Sequence, residues 1–144
     1  MIREIKEDKK RYMELLLLGD EQESMIDRYL DRGTMYVYGG GKAVCVVTDE
    51  GGGILEIKNI AVAPESQRKG CGKAMIAFLE NEYKGKFSLL RAGTGDSPAT
   101  VPFYESCGFE RAYVIKDFFV DNYDHPIYEC GVRLRDMIYF EKRI

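Results

Sequence analysis

The chain opens with two stretches in which apolar residues recur at helical spacing. Residues 8–18 form the first stretch, which Gly19 ends. Asp20 then stands where a helix N-cap is expected, with Glu23 three residues later as in a capping box. The apolar residues of the second stretch would share one helix face: Met25, Ile26, Tyr29 and Leu30. This pattern predicts two consecutive helices, of which the second begins at Asp20 and ends at Gly33.

After these helices the pattern becomes that of β-strands. Residues 34–38 and 43–48 are β-branched and aromatic, and three glycines separate them, which predicts a hairpin. A second triple-glycine turn leads into a third strand at 54–62. A helix with one apolar side is then predicted at about 70–83, followed by a buried strand at 87–92.

The last third of the chain predicts one short helix and two strands. Ser97, followed by a proline, is a favourable N-cap, and Gly108 ends the helix that it begins. Pro102 inside that helix is expected to distort it, because proline lacks an N–H and crowds a carbonyl. The strands are predicted at 109–119 and 133–142, on either side of a polar loop.

The order of these elements predicts a mixed sheet with helices on both of its faces. Three hairpin-type strands are followed by strand–helix–strand units, a combination that favours the α+β class. The 144 residues have the size of one domain, and we expect the whole chain, 1–144, to form it.

Composition and charge narrow the classes of function. A net charge of -3 argues against a nucleic-acid partner, which would favour a basic face. No apolar run approaches the roughly 18 residues of a membrane span. The charged first residues also lack the apolar core of a secretory signal. We therefore expect a cytoplasmic protein with no nucleic-acid and no membrane partner.

The four cysteines form neither a metal pattern nor a disulfide pattern. Cys45, Cys71, Cys107 and Cys130 are far apart in sequence, and His125 is the only histidine. A zinc site needs clustered ligands, and disulfides are rare in a reducing compartment. The sequence thus predicts reduced, buried thiols and no metal.

One turn, QRKGCGK at residues 67–73, predicts an anion site. It lies between a strand and a helix, and the first N–H groups of a helix have no partner within it. Gly70 and Gly72 let a ligand approach the backbone, and three cations add positive charge. The alternative is an ordinary capped helix with a solvated first turn, but basic residues disfavour a helix N-terminus. The spacing matches neither a P-loop nor, with Met75 at the third glycine position, a dinucleotide fingerprint.

The turn matches the Q/R-x-x-G-x-G/A motif of the GNAT acyltransferase superfamily. Gln67 begins the motif, "NIAVAPES" precedes it, and "PFYESCGF" follows in the family's order. The order of the elements also resembles that of the family. This resemblance implies a GNAT-like α+β fold, with about six to seven strands in a mixed, mostly antiparallel sheet and about four flanking helices. It further implies an enzyme that moves an acetyl group from acetyl-CoA to a primary amine without a metal.

The resemblance also implies the cofactor contacts. In the family, backbone N–H groups of the turn hold the pyrophosphate of coenzyme A, and the preceding strand binds the pantetheine arm through its main chain. The turn residues implied here are Arg68, Lys69, Gly70, Cys71, Gly72 and Lys73, and the strand residues are Ile60, Ala61 and Val62. A bulge, typical of that strand in the family, would leave its backbone groups free. Ser97 stands where many members carry an asparagine that contacts the cofactor.

Two residues are candidates for proton transfer. Tyr104 stands where the family often keeps a tyrosine that protonates the departing CoA thiolate, and a phenol is protonated at neutral pH. Glu56, four residues before Ile60, has the spacing of the general base of some members, and would act directly or through a water. The alternatives are an amphipathic helix residue for Tyr104 and a solvent-facing strand residue, paired with a lysine, for Glu56.

The acceptor is expected to be a small-molecule or peptide amine. Residues 116–136 contain more carboxylates than cations, which would suit a cationic amine, although a solvated acidic loop has the same composition. Homodimers are common among similar proteins, so a homodimer is one expected state. Two other functions stay open: a non-catalytic acyl-CoA sensor or interaction module with this fold, and an enzyme that acts on another phosphate ligand.

Overall fold

A seven-stranded mixed sheet forms the centre of the computed structural model, which describes residues 1–144. The chain has nine strands: β1 (Ile2–Ile5), β2 (Thr34–Tyr38), β3 (Ala43–Asp49), β4 (Ile54–Val62), β5 (Leu89–Gly95), β6 (Glu110–Ile115), β7 (Tyr128–Glu129), β8 (Val132–Arg133) and β9 (Met137–Arg143). The sheet has the order β1-β2-β3-β4-β5-β9-β6, and β7 pairs with β8 separately. Only β4 and β5 are parallel, so the prediction of a mixed, mostly antiparallel sheet is confirmed.

Helices cover both faces of the sheet. They are α1 (Met13–Gly19), α2 (Glu23–Ile26), α3 (Cys71–Tyr83), α4 (Val101–Ser106) and α5 (Phe118–Asn122). On one face α3 and α4 bury Leu79 and Tyr104 with Phe140 of β9. On the other face α1 and α2 bury Leu16 and Ile26. The α+β class is confirmed, with one α-helix more than predicted. None of these helices is long and apolar enough to cross a membrane.

The first part of the chain departs from the prediction in two places. β1 pairs antiparallel with β2, although the sequence pattern does not indicate a strand there. α2 has Gln22 at its N-cap and ends at Ile26, well before Gly33. No side chain caps this helix, so the predicted capping box at Asp20 is wrong.

The short helix α4 also begins later than predicted. Its N-cap is Thr100 rather than Ser97. Pro102 therefore falls in the first turn, where no N–H is needed, and the expected distortion does not occur.

The segment between β6 and β9 contains structure that its polar pattern conceals. The strand predicted at 109–119 ends at Ile115, and α5 follows. The last strand begins at Met137 rather than at 133. Cys130 and Gly131 join β7 to β8 with φ values of 51° and 75°, both in the left-handed region, as in a type I′ turn.

β4 separates from β5 halfway along its length. The register of β3 and β4 shifts between Val46 and Val47, and Lys58 is the extra residue of a bulge. β4 pairs with β5 only from Ile54 to Ile57. Beyond that point the backbone groups on this side of β4 are free of the sheet. The bulge implied by the resemblance is therefore present, and it opens the sheet.

Candidate active site

A cleft of about 810 Å³ begins where β4 and β5 separate. Its walls are the second half of β4, the end of β5, the N-terminus of α3, one side of α4 and residues between α5 and the start of β9. The loop after α1, at residues 18–21, completes it. Segments that are distant in sequence therefore face each other across one opening.

The turn before α3 directs unpaired N–H groups toward one end of the cleft. Gly70 caps α3 with φ 84°, and Arg68 is also left-handed at φ 62°. The first hydrogen bond inside the helix runs from the Ala74 N–H to the Gly70 carbonyl, at 2.9 Å. The N–H groups of the three residues between them therefore have no acceptor in the helix, and together with the macrodipole they suit an anion. Arg68 and Lys73 line the cleft, whereas Lys69 does not.

The two glycines of the turn serve different purposes. A Cβ on Gly70 would meet no atom within 4 Å, and the left-handed φ is what favours glycine there. A Cβ on Gly72 would lie 2.9 Å from Cε1 of Phe103 on α4. Gly72 is thus needed for the close packing of α3 on α4, a requirement that the motif alone does not reveal.

The backbone N–H and C=O groups of alternate residues in β4 face the cleft. The Ala63 N–H donates to a carbonyl just before β3, at 2.8 Å. Since the backbone groups of successive strand residues point to opposite sides, Ala61 faces β3, while Ile60 and Val62 face the opening. Gln67 Nε2 donates to the Val62 carbonyl at 3.1 Å, which fixes the turn against the strand.

Tyr104 lies in the wall of the cleft with only 4% of its surface exposed. Its ring stacks on Phe140 at 5.6 Å between centroids and meets Phe109 edge-on. Burial raises the pKa of Tyr104 above that of an ordinary phenol, so its hydroxyl keeps a proton throughout the neutral range. Ser97 is buried nearby, where its Oγ accepts the Ala99 N–H at 3.0 Å, and it does not line the cleft.

Glu56 is buried beside the cleft but is not among the residues that line it. Lys58 Nζ lies 2.7 Å from one carboxylate oxygen, and Arg91 Nη1 lies 3.9 Å from the other. The carboxylate is therefore paired with a lysine, as the alternative expectation has it, although it is buried rather than solvent-facing. Lys58 lines the cleft in its place.

Asp20 is the cleft residue that sequence reasoning misses. Its two carboxylate oxygens accept hydrogen bonds from the hydroxyls of Tyr29, at 3.0 Å, and Tyr123, at 2.5 Å. Asn59 Nδ2 donates in turn to the Tyr29 hydroxyl at 3.1 Å. Burial raises the pKa of Asp20 above its ordinary value, and the two phenols partly offset that rise. No local signal identifies this role, because the position satisfies a capping rule and Tyr123 is 103 residues away.

All four cysteines are free thiols. Cys45 and Cys71 are buried as predicted, whereas Cys107 is half-buried and Cys130 is exposed, so the prediction of buried thiols is wrong for these two. Burial raises the pKa of Cys45 to about 12, which keeps that thiol protonated. No three His, Cys, Asp or Glu side chains come together as a metal-binding group.

Comparison with known proteins agrees with this geometry. Residues 31–111 match the family model described as "Acetyltransferase (GNAT) domain". The uncharacterized N-acetyltransferase YvbK of Bacillus subtilis is 35% identical over 130 residues, which cover 87% of this chain and 84% of that protein. A ribosomal protein bS18-alanine N-acetyltransferase of Escherichia coli is 34% identical over 76 residues, covering 51% of this chain and 49% of that protein.

A solved structure extends the likeness to the whole chain. The crystal structure of a GNAT family acetyltransferase from Elizabethkingia anophelis, with acetyl-CoA bound, superposes with a TM-score of 0.92 at 32% identity. It covers 100% of this chain, which spans 97% of that protein. The family that the QRKGCGK turn predicts is confirmed: the chain belongs to the GNAT acetyltransferases and is an acetyl-CoA-dependent N-acetyltransferase.

Proposed function

We propose that this enzyme moves the acetyl group of acetyl-CoA directly to a primary amine bound in the same cleft. One observation carries the proposal: a single cleft is lined by the N-terminus of α3, by Tyr104 and by Asp20. Both substrates would occupy it together in a ternary complex, so that proximity replaces a covalent enzyme intermediate. Cys71, the one thiol that lines the cleft, lies in the turn proposed for the pyrophosphate and is not proposed as a nucleophile.

The cleft fits acetyl-CoA, which supplies the acetyl thioester. The free N–H groups of the turn, with the cations of Arg68 and Lys73, suit the pyrophosphate. The outward main chain of Ile60 and Val62 suits the amides of an extended pantetheine arm, paired as an additional strand. Ala61 lines the same wall. In this arrangement the Ile60 N–H would polarise the thioester carbonyl.

Tyr104 is proposed to protonate the departing thiolate. Its hydroxyl is held in the cleft wall by ring packing, and its raised pKa keeps the proton available. A direct cofactor contact of Ser97 stays a prediction, and the buried hydroxyl would act through the start of α4 instead.

Glu56 stays a prediction as the general base. Its ion pairs with Lys58 and Arg91 would have to rearrange, or a water would have to carry the proton past Lys58. Glu56→Gln keeps the shape and removes the charge. A loss of kcat with an unchanged free energy of unfolding would support the base role, whereas a loss of stability alone would favour a structural ion pair.

The charges that line the cleft support a cationic acceptor. Arg68 and Lys73 lie at the α3 end, whereas Asp20, Glu21 and Glu129 come from the α1 loop and from β7. The remaining charged lining residue, Lys58 of β4, is paired with Glu56 at 2.7 Å. This separation suits an anionic cofactor and a positively charged amine in one cleft. The bS18-alanine acetyltransferase supports a peptide amine, besides a small one, among the acceptors to test. One domain over 1–144, a cytoplasmic location and a homodimer stay predictions.

The test is the conversion of acetyl-CoA to CoA, followed by mass spectrometry so that the native thiols do not interfere. Purified protein is assayed against a panel of small amines and alanine-initiated peptides. Release of CoA that depends on the acceptor, together with an acetylated product, would establish the transfer. Tight binding without release for any amine would favour an acyl-CoA sensor, and no binding of acetyl-CoA would contradict the pyrophosphate site.

A further inference from the structure

We infer that Asp20 binds the ammonium group of the acceptor and accepts its proton. The inference rests on the proposed function and deepens it, because it names the residue and the substrate class: a primary amine that is protonated in solution. It assigns to Asp20 the task that the sequence assigns to Glu56.

Two phenols donate to Asp20 and fix its carboxylate, and an amide supports one of them. Tyr29, before β2, and Tyr123, after α5, each donate to a different oxygen. Asn59 Nδ2 donates to the Tyr29 hydroxyl, which leaves the proton of that hydroxyl for Asp20. These hydrogen bonds require the Asp20 carboxylate to be the acceptor. Each of its oxygens retains a lone pair for a further donor from the cleft.

The Tyr29 hydroxyl links the Asp20 carboxylate to Asn59 of β4, the strand proposed to carry the acetyl arm. Gly19 packs so closely on β4 that a Cβ there would lie 3.1 Å from the Ile60 carbonyl oxygen. Asp20 and Ile60 line the same cleft, so an amine bound by Asp20 would lie near the β4 opening. Asn59 Oδ1, which is buried against Gly19 without a donor in the chain, adds a second unfilled acceptor beside this end of the cleft.

The surroundings of Asp20 suit a general base better than those of Glu56 do. The titratable and charged groups that face Asp20 are the phenols of Tyr29 and Tyr123, and Arg28, which favours the charged form at longer range. Burial outweighs these three groups and the backbone N–H of Gln22, so the pKa of Asp20 is raised, and a raised pKa makes a carboxylate a stronger proton acceptor. Glu56, in contrast, already has Lys58 at 2.7 Å.

The proposed step conserves atoms and charge. One proton passes from the ammonium nitrogen to an oxygen of Asp20, which frees the nitrogen lone pair. The nitrogen forms a bond to the acetyl carbon as the carbon–sulfur bond breaks, and the electron pair of that bond goes to sulfur. Sulfur receives a proton from Tyr104, and the second nitrogen proton restores the Tyr104 hydroxyl. The proton on Asp20 returns to solvent with the release of the amide and CoA.

The test compares kcat/KM for n-butylamine and putrescine across pH in wild type, Asp20→Asn, Glu56→Gln and Asp27→Asn. Asp27→Asn is the matched control, because Asp27 is an exposed aspartate whose ion pair is with Lys10, at 2.9 Å. Asp20→Asn is expected to lose about 10²- to 10⁴-fold in kcat/KM near neutral pH and to lose the acidic limb that Asp20 sets, so that its residual activity follows only the fraction of free amine. Its acetyl-CoA affinity, measured by calorimetry, is expected to match wild type, since Asn retains an acceptor for one phenol.

Retention of wild-type kcat/KM by Asp20→Asn, or a parallel loss of acetyl-CoA binding, would overturn the inference. A comparable loss confined to Glu56→Gln would assign the proton to Glu56. If wild type releases no CoA with either amine, the proposed function fails for these probes, and putrescine is then titrated into the CoA complex. Putrescine binding that Asp20→Asn abolishes would support the amine site, and no putrescine binding by wild type would overturn it.

Discussion

Tyr123 donates its hydroxyl hydrogen to Asp20 at 2.5 Å, across 103 residues of sequence. The contact joins the segment between β6 and β9 to the loop after α1. Two neighbouring hydrogen bonds join the same β6–β9 segment to residues on either side of α2, from Arg28 to Asn122 at 3.2 Å and from the Asp124 N–H to Gln22 at 3.0 Å. The acceptor end of the cleft is therefore assembled by polar contacts between two parts of the chain that neither helix nor strand connects.

Tyr123→Phe is expected to move the acidic limb of the kcat/KM profile for an amine to higher pH. The substitution removes one donor to Asp20 but keeps the ring that stacks on Phe119 at 5.6 Å. A hydrogen bond to a carboxylate lowers its pKa, so loss of the bond raises the pKa of Asp20 further. Tyr128→Phe, on the same wall and without a bond to Asp20, is the control. An acidic limb of the kcat/KM profile that does not move in Tyr123→Phe would contradict the role given to the hydrogen bond between Tyr123 and Asp20.

Tyr104→Phe is expected to lower kcat by about 10²-fold and to leave the acetyl-CoA affinity unchanged. The aromatic packing against Phe140 survives, so the melting temperature should change little. Because burial raises the pKa of Tyr104, wild-type turnover should show no loss of the phenolic proton up to about pH 9. Tyr113→Phe, on the exposed strand β6, serves as the control for removal of a hydroxyl. Equal kcat values for Tyr104→Phe and wild type would show that another group protonates the thiolate.

The parts of the fold that follow from the sequence are those with a repeated local signal. The β2–β3 hairpin and β4 have runs rich in β-branched and other apolar residues, bounded by glycines. The helix α3 begins directly after Gly70, whose own backbone is left-handed. β1 has only four residues, and what stabilises it is pairing with β2. The β7–β8 turn uses Cys130 at positive φ, where asparagine, aspartate or glycine would have signalled a hairpin.

The residues of the active site likewise divide into those that the sequence predicts and those that only the folded structure brings together. The phosphate turn can be found from sequence because its residues are consecutive, and Tyr104 because a motif surrounds it. The sequence shows Glu56 as a carboxylate in an apolar strand, but not that Arg91 lies opposite in β5, since register is a property of the folded sheet. Asp20 depends on Tyr29, Asn59 and Tyr123 together, and no spacing within the chain predicts that they meet.

Gly72→Ala is expected to weaken CoA binding by displacing α4, and a smaller residue at position 103 should reverse the effect. The added methyl would lie 2.9 Å from the Phe103 ring, closer than packing allows. Phe103→Leu in the same chain makes room, so the double variant should regain affinity, measured as the Kd for CoA by calorimetry. Gly70→Ala is the matched comparison, because its cost of about 1 kcal/mol comes from the left-handed φ and not from a contact. Phe103→Leu should therefore not rescue Gly70→Ala, and equal rescue of both would contradict this account.

Asp20→Asn is expected to raise the free energy of unfolding at pH 7.5, although it removes a group proposed for catalysis. The pKa of Asp20 is raised in the folded state, so its protonation contributes stability that is fully present below the unfolded pKa. That contribution is lost as pH rises through the folded pKa, and above it the half-buried charge lowers stability. Asparagine resembles the neutral form and still accepts from a phenol, so urea unfolding should show a gain at pH 7.5 that shrinks as the pH falls through the folded-state pKa of Asp20.

Asp27→Asn, which breaks an exposed ion pair, is the control for this comparison and should show no such gain. A lower stability of Asp20→Asn at pH 7.5 would mean that the two phenol bonds outweigh the cost of burial. Loss of activity in that variant would then reflect damage to the cleft. A stability gain that accompanies a loss of amine turnover, in contrast, is what a half-buried functional carboxylate should show, because its charge lowers stability while it serves the chemistry.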